Sequence, residues 1–176
     1  GNDYIVFDNR DGKITCPESI AVNYVQTHYG IGGDGIALIE NSEIADAKMR
    51  VFNKDGSEAP QGGNAIRCIG KYLYEKGIVR KNEMTIETAK GVCAVKVYSF
   101  GGKVNSASVN LGKVELAGEK IPCVWKEDTI VDKTIEVGGK EYKGTLVNVG
   151  NPHCVIFCDK EDAMNVDKIG TQHDNS

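Results

Sequence analysis

Four short strings hold glycines or polar residues where a ligand could be met. Gln61-Gly62-Gly63-Asn64-Ala65-Ile66-Arg67-Cys68 passes from two glycines into an apolar helical pattern. Consecutive glycines let the main chain come close to a ligand. The first N–H groups of a helix have no carbonyl four residues back, and the helix dipole places positive potential there. Such an end holds a carboxylate or a phosphate, although the same string also reads as an ordinary Gly/Asn cap. Asn148-Val149-Gly150-Asn151-Pro152-His153 is a polar turn between two strand-like runs. Pro152 fixes its own φ, restricts Asn151 and donates no hydrogen bond. The string reads either as a plain β-turn or as a rigid mount for Asn151 and His153, with His153 able to tune or relay protons near neutral pH.

Asn53-Lys54-Asp55-Gly56-Ser57-Glu58 reads as an Asx-type turn closing a strand, or as a loop that presents Asn53 to a polar ligand. A calcium loop would need an acidic residue where Val51 stands and glutamate where Gly62 stands, so that reading fails. Gly30-Ile31-Gly32-Gly33-Asp34-Gly35 matches G-x-G-x-x-G. Dinucleotide binding requires a strand before it and a helix after it. Here the order is reversed, and the glycines instead shape a turn at a helix C-terminus.

The elements that must carry these strings are mostly strands. Alternating or clustered β-formers predict strands over Asp3–Phe7, Gly35–Glu40, Ala47–Phe52, Met84–Thr88, Val92–Tyr98, Val104–Leu111, Thr129–Val137, Tyr142–Val149 and Cys154–Phe157. Gly101-Gly102 and Gly138-Gly139 separate strand runs and predict hairpins. Thr15-Cys16-Pro17-Glu18 fits a capping box for a helix running to about Tyr29 and stopping at Gly30. A second helix opens after Gly62-Gly63-Asn64 and ends near Gly77. Its Ala65, Ile66, Cys68, Ile69, Tyr72 and Leu73 spread over much of the circumference, which predicts a helix buried on many sides. A short third helix is expected over Glu161–Ile169. Strands around one central helix make the class α+β. The pattern breaks at Gly112–Asp128, so a domain boundary is expected near Gly112, giving 1–111 and 112–176.

Composition narrows the function classes. The 176 residues are 40% hydrophobic and 26% charged, as in a globular protein. The net charge is −4 and no Lys/Arg-rich run occurs, which argues against nucleic-acid or anionic-membrane partners. The longest apolar runs are a few residues, too short to span a bilayer. Six cysteines occur without a visible leader or a glycosylation sequon, so reduced thiols and a cytoplasmic setting are expected. No Cys-X-X-Cys pair exists and histidines number three, so a structural zinc site is not expected.

Together and in order, Asn2-Asp3, Gly30–Gly35, Phe52–Glu58, Gly62–Cys68 and Asn148–Cys154 resemble diaminopimelate epimerase along the whole chain. The resemblance implies two similar domains, each a curled, mixed, barrel-like β-sheet wrapped around a central helix. It implies interconversion of LL- and meso-diaminopimelate for lysine and peptidoglycan synthesis, with no cofactor: neither pyridoxal phosphate nor metal. Removing a Cα proton beside a carboxylate creates a carbanion that the protein itself must stabilise, which helix N-termini do. A base on one face takes a proton and an acid on the other returns one. Thiols suit both roles, because a helix N-terminus lowers a cysteine pKa. Carried over, Asn2, Asn53, Gly63, Asn64 and Asn151 resemble substrate-binding residues, and His153 resembles the histidine that tunes the first thiol.

Two departures stand against this. The family motif reads Gln-Cys-Gly-Asn, and here Gly62 occupies the position of the first catalytic cysteine. Cys68 lies six residues on, about 9 Å along the axis, and reads as a core residue. The family's later Glu-Arg pair and second cysteine have no counterpart before Ser176, and its opening strand has none before Gly1. By this comparison Gly112–Ser176 is part of a second domain. The expectation is an isomerase lineage whose chain, as it stands, does not epimerise. A catalytically silent amino-acid binder, or another racemase or isomerase of the same fold, is the alternative. A partial domain would expose apolar strand edges and favour self-association, a homodimer being the simplest form.

Overall fold

A computed structural model describes residues 1–158. The chain divides into two compact units, Gly1–Gly112 and Lys113–Ser176. The helix expected over Glu161–Ile169 lies outside the described residues.

The first unit has seven strands, most of them rich in Val, Ile, Met or Phe set among polar residues. These are β1 (Tyr4–Asp8), β2 (Gly35–Glu40), β3 (Ala47–Asn53), β4 (Glu58–Ala59), β5 (Glu83–Thr88), β6 (Gly91–Phe100) and β7 (Lys103–Val109). They form one mixed sheet in the order β1-β2-β3-β5-β6-β7, with β4 paired to β3. The β1/β2 and β3/β5 pairs are parallel and the others antiparallel. The sheet curls about α2 (Gly63–Glu75), which packs on β3, β6 and β7. The curled mixed sheet around a central helix is the architecture expected from the sequence.

Strand β2 is buried on both faces, which explains its unbroken Gly-Ile-Ala-Leu-Ile run. Ala37 and Ile39 join Met49, Val51, Ile66, Ile69 and Leu73 in the main core under α2. Ile36 and Leu38 point the other way, onto Ala21 and Val25 of the segment containing α1 (Pro17–Tyr24), together with Phe52.

Some sequence expectations need correction. Helix α1 ends at Tyr24 rather than Tyr29, because the Tyr24 carbonyl accepts the Ile31 N–H at 2.7 Å and the chain folds back there. Its N-cap is Cys16 with no side-chain cap bond, so the Thr15–Glu18 capping box does not form. Helix α2 is buried along one face, Ala65, Ile66, Ile69, Gly70 and Leu73. Cys68 is exposed and is not a core residue. It shares the outward face with Arg67 and Lys71. The short strand β4 went unread because two residues carry no periodicity.

In the second unit, β8 (Lys133–Val137), β9 (Lys140–Asn148) and β10 (Pro152–Ile156) make an antiparallel sheet in the order β10-β9-β8. The run expected to begin at Thr129 starts as strand only at Lys133, after Asp132 takes a left-handed φ of 51°. Ile121, Ile130 and Leu146 are its buried core, with Cys123, Trp125 and Cys154 packed against them. The glycine pairs 101–102 and 138–139 do turn the β6/β7 and β8/β9 hairpins.

Candidate functional site

Strand register gathers the candidate residues of the first unit at one end of the sheet. Tyr4 of β1 lies opposite Gly35 of β2, and Gly35 lies opposite Asn53 of β3. Asn2 precedes β1, Asp34 precedes β2, and Asn53 ends β3, so all three reach the same margin. From Asn53 the chain turns through Lys54–Ser57 into β4 and then meets Gly62, the N-cap of α2.

The start of α2 leaves its first donors unused within the helix. Its first intrahelical bond runs from the Ile66 N–H to the Gly62 carbonyl at 2.9 Å. The N–H groups of Gly63, Asn64 and Ala65 therefore have no intrahelical carbonyl to reach. No side chain caps this end, and no acidic residue lies in its first turn. The positive end of the dipole is thus not offset from within the helix.

Gly62 itself needs no special backbone. Its φ is −138° and ψ 94°, an extended conformation open to any residue. A Cβ placed there would meet Val51 Cγ2 at 3.4 Å and the Ala65 Cβ at 3.5 Å, ordinary contacts. The position has room for a side chain and lacks one.

Asn64 and Asn2 are joined. The Asn64 Nδ2 donates to Asn2 Oδ1 at 3.1 Å. Asn2 Nδ2 in turn donates to the Asp34 carboxylate at 2.9 Å, which also accepts the Asp3 backbone N–H at 2.9 Å. At the other end the Arg67 guanidinium donates to Asn64 Oδ1. The Asn2 amide, the Asp3 N–H, and the charges of Lys54 and the Gly1 ammonium hold the Asp34 carboxyl below its ordinary pKa.

Asn53 is turned onto its own loop. Its Nδ2 donates to Ser57 Oγ at 3.0 Å and its N–H to the Ser57 carbonyl at 2.9 Å, while Asp55 accepts both donors of Ser57. This is the Asx-type closure of the strand end. The glycine string before β2 likewise has a structural task. A Cβ on Gly30 would lie 2.4 Å from the Tyr24 carbonyl oxygen, and one on Gly35 would lie 2.3 Å from that of Phe52. The first contact belongs to the turn after α1 and the second to the close pairing of β2 with β3, and between them they deliver Asp34 to the margin.

The second unit carries Asn151 and His153. Asn148 braces their turn, donating from Nδ2 to the Lys120 carbonyl at 3.2 Å and accepting the Gly150 N–H at 2.9 Å. Pro152 and His153 open β10, with His153 opposite Val147. His153 and Cys154 line a cavity of 840 Å³ with Ile121, Trp125 and Leu146. Burial pushes the Cys154 thiol up, as it does for Cys93 in the first unit.

Asp34 and Arg67 were not singled out by type or spacing. The available signal was a carboxylate held inside a glycine turn immediately before a buried strand. Another cavity of 690 Å³, between β5, β6 and Asn110–Gly112, is lined by none of the candidate residues. Among the described residues no group of His, Cys, Asp and Glu could hold a metal ion, and no helix is long and apolar enough to cross a membrane.

Comparison with known proteins places this geometry in a family. A sequence profile described as Diaminopimelate epimerase matches residues 1–117. The chain is 40% identical over 170 residues to a diaminopimelate epimerase of Acetivibrio thermocellus, covering 97% of this chain and 61% of that protein. It is 42% identical over 175 residues to one of Phocaeicola vulgatus, covering 99% and 62%. The chain therefore spans about three-fifths of the length of these relatives. Among solved structures, a hydroxyproline epimerase from Agrobacterium vitis with bound trans-4-hydroxy-L-proline superposes with a TM-score of 0.57 at 19% identity, over 89% of this chain and 42% of that one. A phenazine biosynthesis protein from Bacillus anthracis gives 0.55 at 18%, over 93% and 52%. Those two share the fold alone.

Proposed function

Because the chain belongs to the diaminopimelate epimerase family, we propose that it is the part of a cofactor-independent amino-acid epimerase that holds LL-2,6-diaminopimelate by its carboxylate. The observation that carries this reading is the uncapped start of α2, with Gly63, Asn64 and Ala65 N–H groups at a helix end that lacks an acidic residue. Negative charge develops next to the substrate carboxylate when the Cα proton leaves, and fixed donors at that point favour the carbanion over the ground state. Asn2 and Asn64 supply further polar contacts, and Asn53 and Asn151 keep the substrate-binding roles that the family resemblance implies, whereas the thiol that His153 would tune is absent at Gly62.

Epimerisation also needs a base to accept the Cα proton and an acid to return one to the opposite face. Gly62 has no side chain with which to do either. In this reading the chain binds and does not exchange. That same residue favours the second reading, a silent relative that retains an amino acid without chemistry. All six cysteines are unpaired, which supports a reducing, cytoplasmic setting. Exposed Tyr98 and Phe100 on β6, and Val124 and Phe157 in the second unit, support self-association to a homodimer.

Calorimetry with LL-diaminopimelate, paired with deuterium incorporation at its Cα in heavy water, tests the proposal. Saturable heat without exchange above background is expected. Absence of heat overturns the binding assignment, and exchange at enzymatic rates overturns the inactivity. Restoring cysteine at 62 in a chain extended to the relatives' full length separates the two readings. Recovered turnover marks an epimerase that has lost its base, and binding without turnover marks the silent relative.

A further inference from the structure

The chain Asp34–Asn2–Asn64–Arg67 has a direction that its two ends dictate. A carboxylate only accepts hydrogen bonds and a guanidinium only donates them, whereas each asparagine amide does both and is free to flip. Asp34 therefore draws the NH2 of Asn2 at 2.9 Å. That turns the Asn2 carbonyl oxygen to the NH2 of Asn64, met at 3.1 Å. The Asn64 carbonyl oxygen is then left for Arg67, which supplies the donor. No other arrangement of the two amides satisfies all three contacts.

We propose that Asp34 is a positioning residue, and that its carboxylate, opposed by the Arg67 guanidinium, locks Asn2 and Asn64 in a single amide orientation at the start of α2. This rests on the reading of that end as the carboxylate cradle. It extends that reading to a residue that touches no ligand. Three features independent of the amides hold the main chain that carries this carboxylate. The Asp34 N–H donates to the Asp3 carbonyl at 2.7 Å, and the Lys54 N–H donates to the Asp34 carbonyl at 3.2 Å. Gly33, at φ 142°, lies where a Cβ would stand 3.0 Å from the Asp3 carbonyl oxygen, so the turn closes tightly on the strand that follows Asn2. The G-x-G-x-x-G string thereby acquires a purpose other than phosphate binding: it sets one accept-only group under an asparagine pair.

The consequence is orientational preorganisation. A flipped amide would offer a carbonyl oxygen where the ligand carboxylate needs a donor, and that mismatch costs affinity once the ligand covers these exposed side chains. The charged groups around Asp34 are the Lys54 ammonium, the Gly1 ammonium and, through the two amides, Arg67.

Side-chain NH2 resonances of Asn2 and Asn64 in the 15N-labelled chain test this, in the wild type and in Asp34→Asn, Asp34→Glu and Arg67→Gln. In the wild type both amides should shift together on acidification, with one midpoint, although Asn64 does not touch Asp34. Asp34→Asn should abolish that coupled shift and weaken LL-diaminopimelate binding about two- to fivefold, the loss of one charge-assisted contact between exposed groups. Asp34→Glu, which keeps an accept-only end, should restore the coupled signals in part. Independent titration of the two amides in the wild type overturns the proposal, a result that needs no variant to fold. So does an Asn64 signal unmoved in folded Asp34→Asn. Coupled signals in a chain that binds no diaminopimelate would uphold the positioning role and reject the proposed ligand.

Discussion

Gly62→Cys is the perturbation whose outcome follows most closely from the structure. The new Cβ would sit 3.4 Å from Val51 Cγ2 and 3.5 Å from the Ala65 Cβ, on a backbone at φ −138° that any L-residue adopts. Replacing glycine where no strain arises lowers the entropy of the unfolded chain and gains about 0.4–1 kcal/mol. Glycine is also a better N-cap than an apolar residue, and losing it costs a similar amount. The two oppose each other, so folding stability should change by less than about 1 kcal/mol. The thiolate, in contrast, gains from the uncapped helix end. An anion there is worth about 0.3–1 kcal/mol, and about 2 kcal/mol when partly buried. At 1.36 kcal/mol per pK unit the introduced thiol should titrate about 0.2–1.5 units below the ordinary cysteine value. Urea unfolding gives the first quantity. Alkylation rates of the peptide containing position 62, followed by mass spectrometry against pH, give the second. A stability loss beyond about 2 kcal/mol, or a midpoint at or above about 8.5, would refute the picture of an open, positively polarised end.

Three other outcomes follow from the same structure. Gly35→Ala should destabilise the chain by more than about 2 kcal/mol in urea unfolding, since its Cβ would lie 2.3 Å from the Phe52 carbonyl oxygen and must push β2 from β3; unchanged stability would mean that the strands are not so close. The Arg50 guanidinium pairs with Glu58 through two bonds of 2.8 Å and holds the Glu58 carboxyl below its ordinary range. A depressed folded value stabilises above the unfolded carboxylate pKa and is lost as pH falls through the folded one. Glu58→Gln should therefore lower stability by about 1 kcal/mol at neutral pH and converge with the wild type as the pH falls through that window, in a series of urea midpoints. Cys16, Cys68 and Cys158 are exposed whereas Cys93 is buried, with its thiol pushed up by that burial. Peptide-resolved alkylation of the native chain should label those three well before Cys93, and equal rates would contradict the packing of α2.

What the sequence discloses depends on how far each interaction reaches. Strand β2 is legible to the residue because its burial on two faces writes a continuous apolar run between two polar margins. The two hairpins are legible because adjacent glycines mark tight reversals. Helix α1 is overread by five residues, since what ends it is the Tyr24 carbonyl meeting the Ile31 N–H, a contact made by the turn and not by any breaker inside the helix. Cys68 resembles a core residue in composition, and only the packing of α2 onto β3, β6 and β7 decides that its face looks outward. At the candidate site, the glycines and Asn64 announce a helix start through local spacing alone. The tie between Asn2 and Asp34 spans 32 positions. It arises from the parallel register of β1 on β2, which no local pattern encodes.

The central claim is that the start of α2 receives an amino-acid carboxylate. Backbone amide shifts of the 15N-labelled chain, followed through a titration with LL-diaminopimelate, test it most directly. Saturable shifts, largest at Gly63, Asn64 and Ala65, are expected. Shifts confined to other surfaces, or none at saturating ligand, would contradict it.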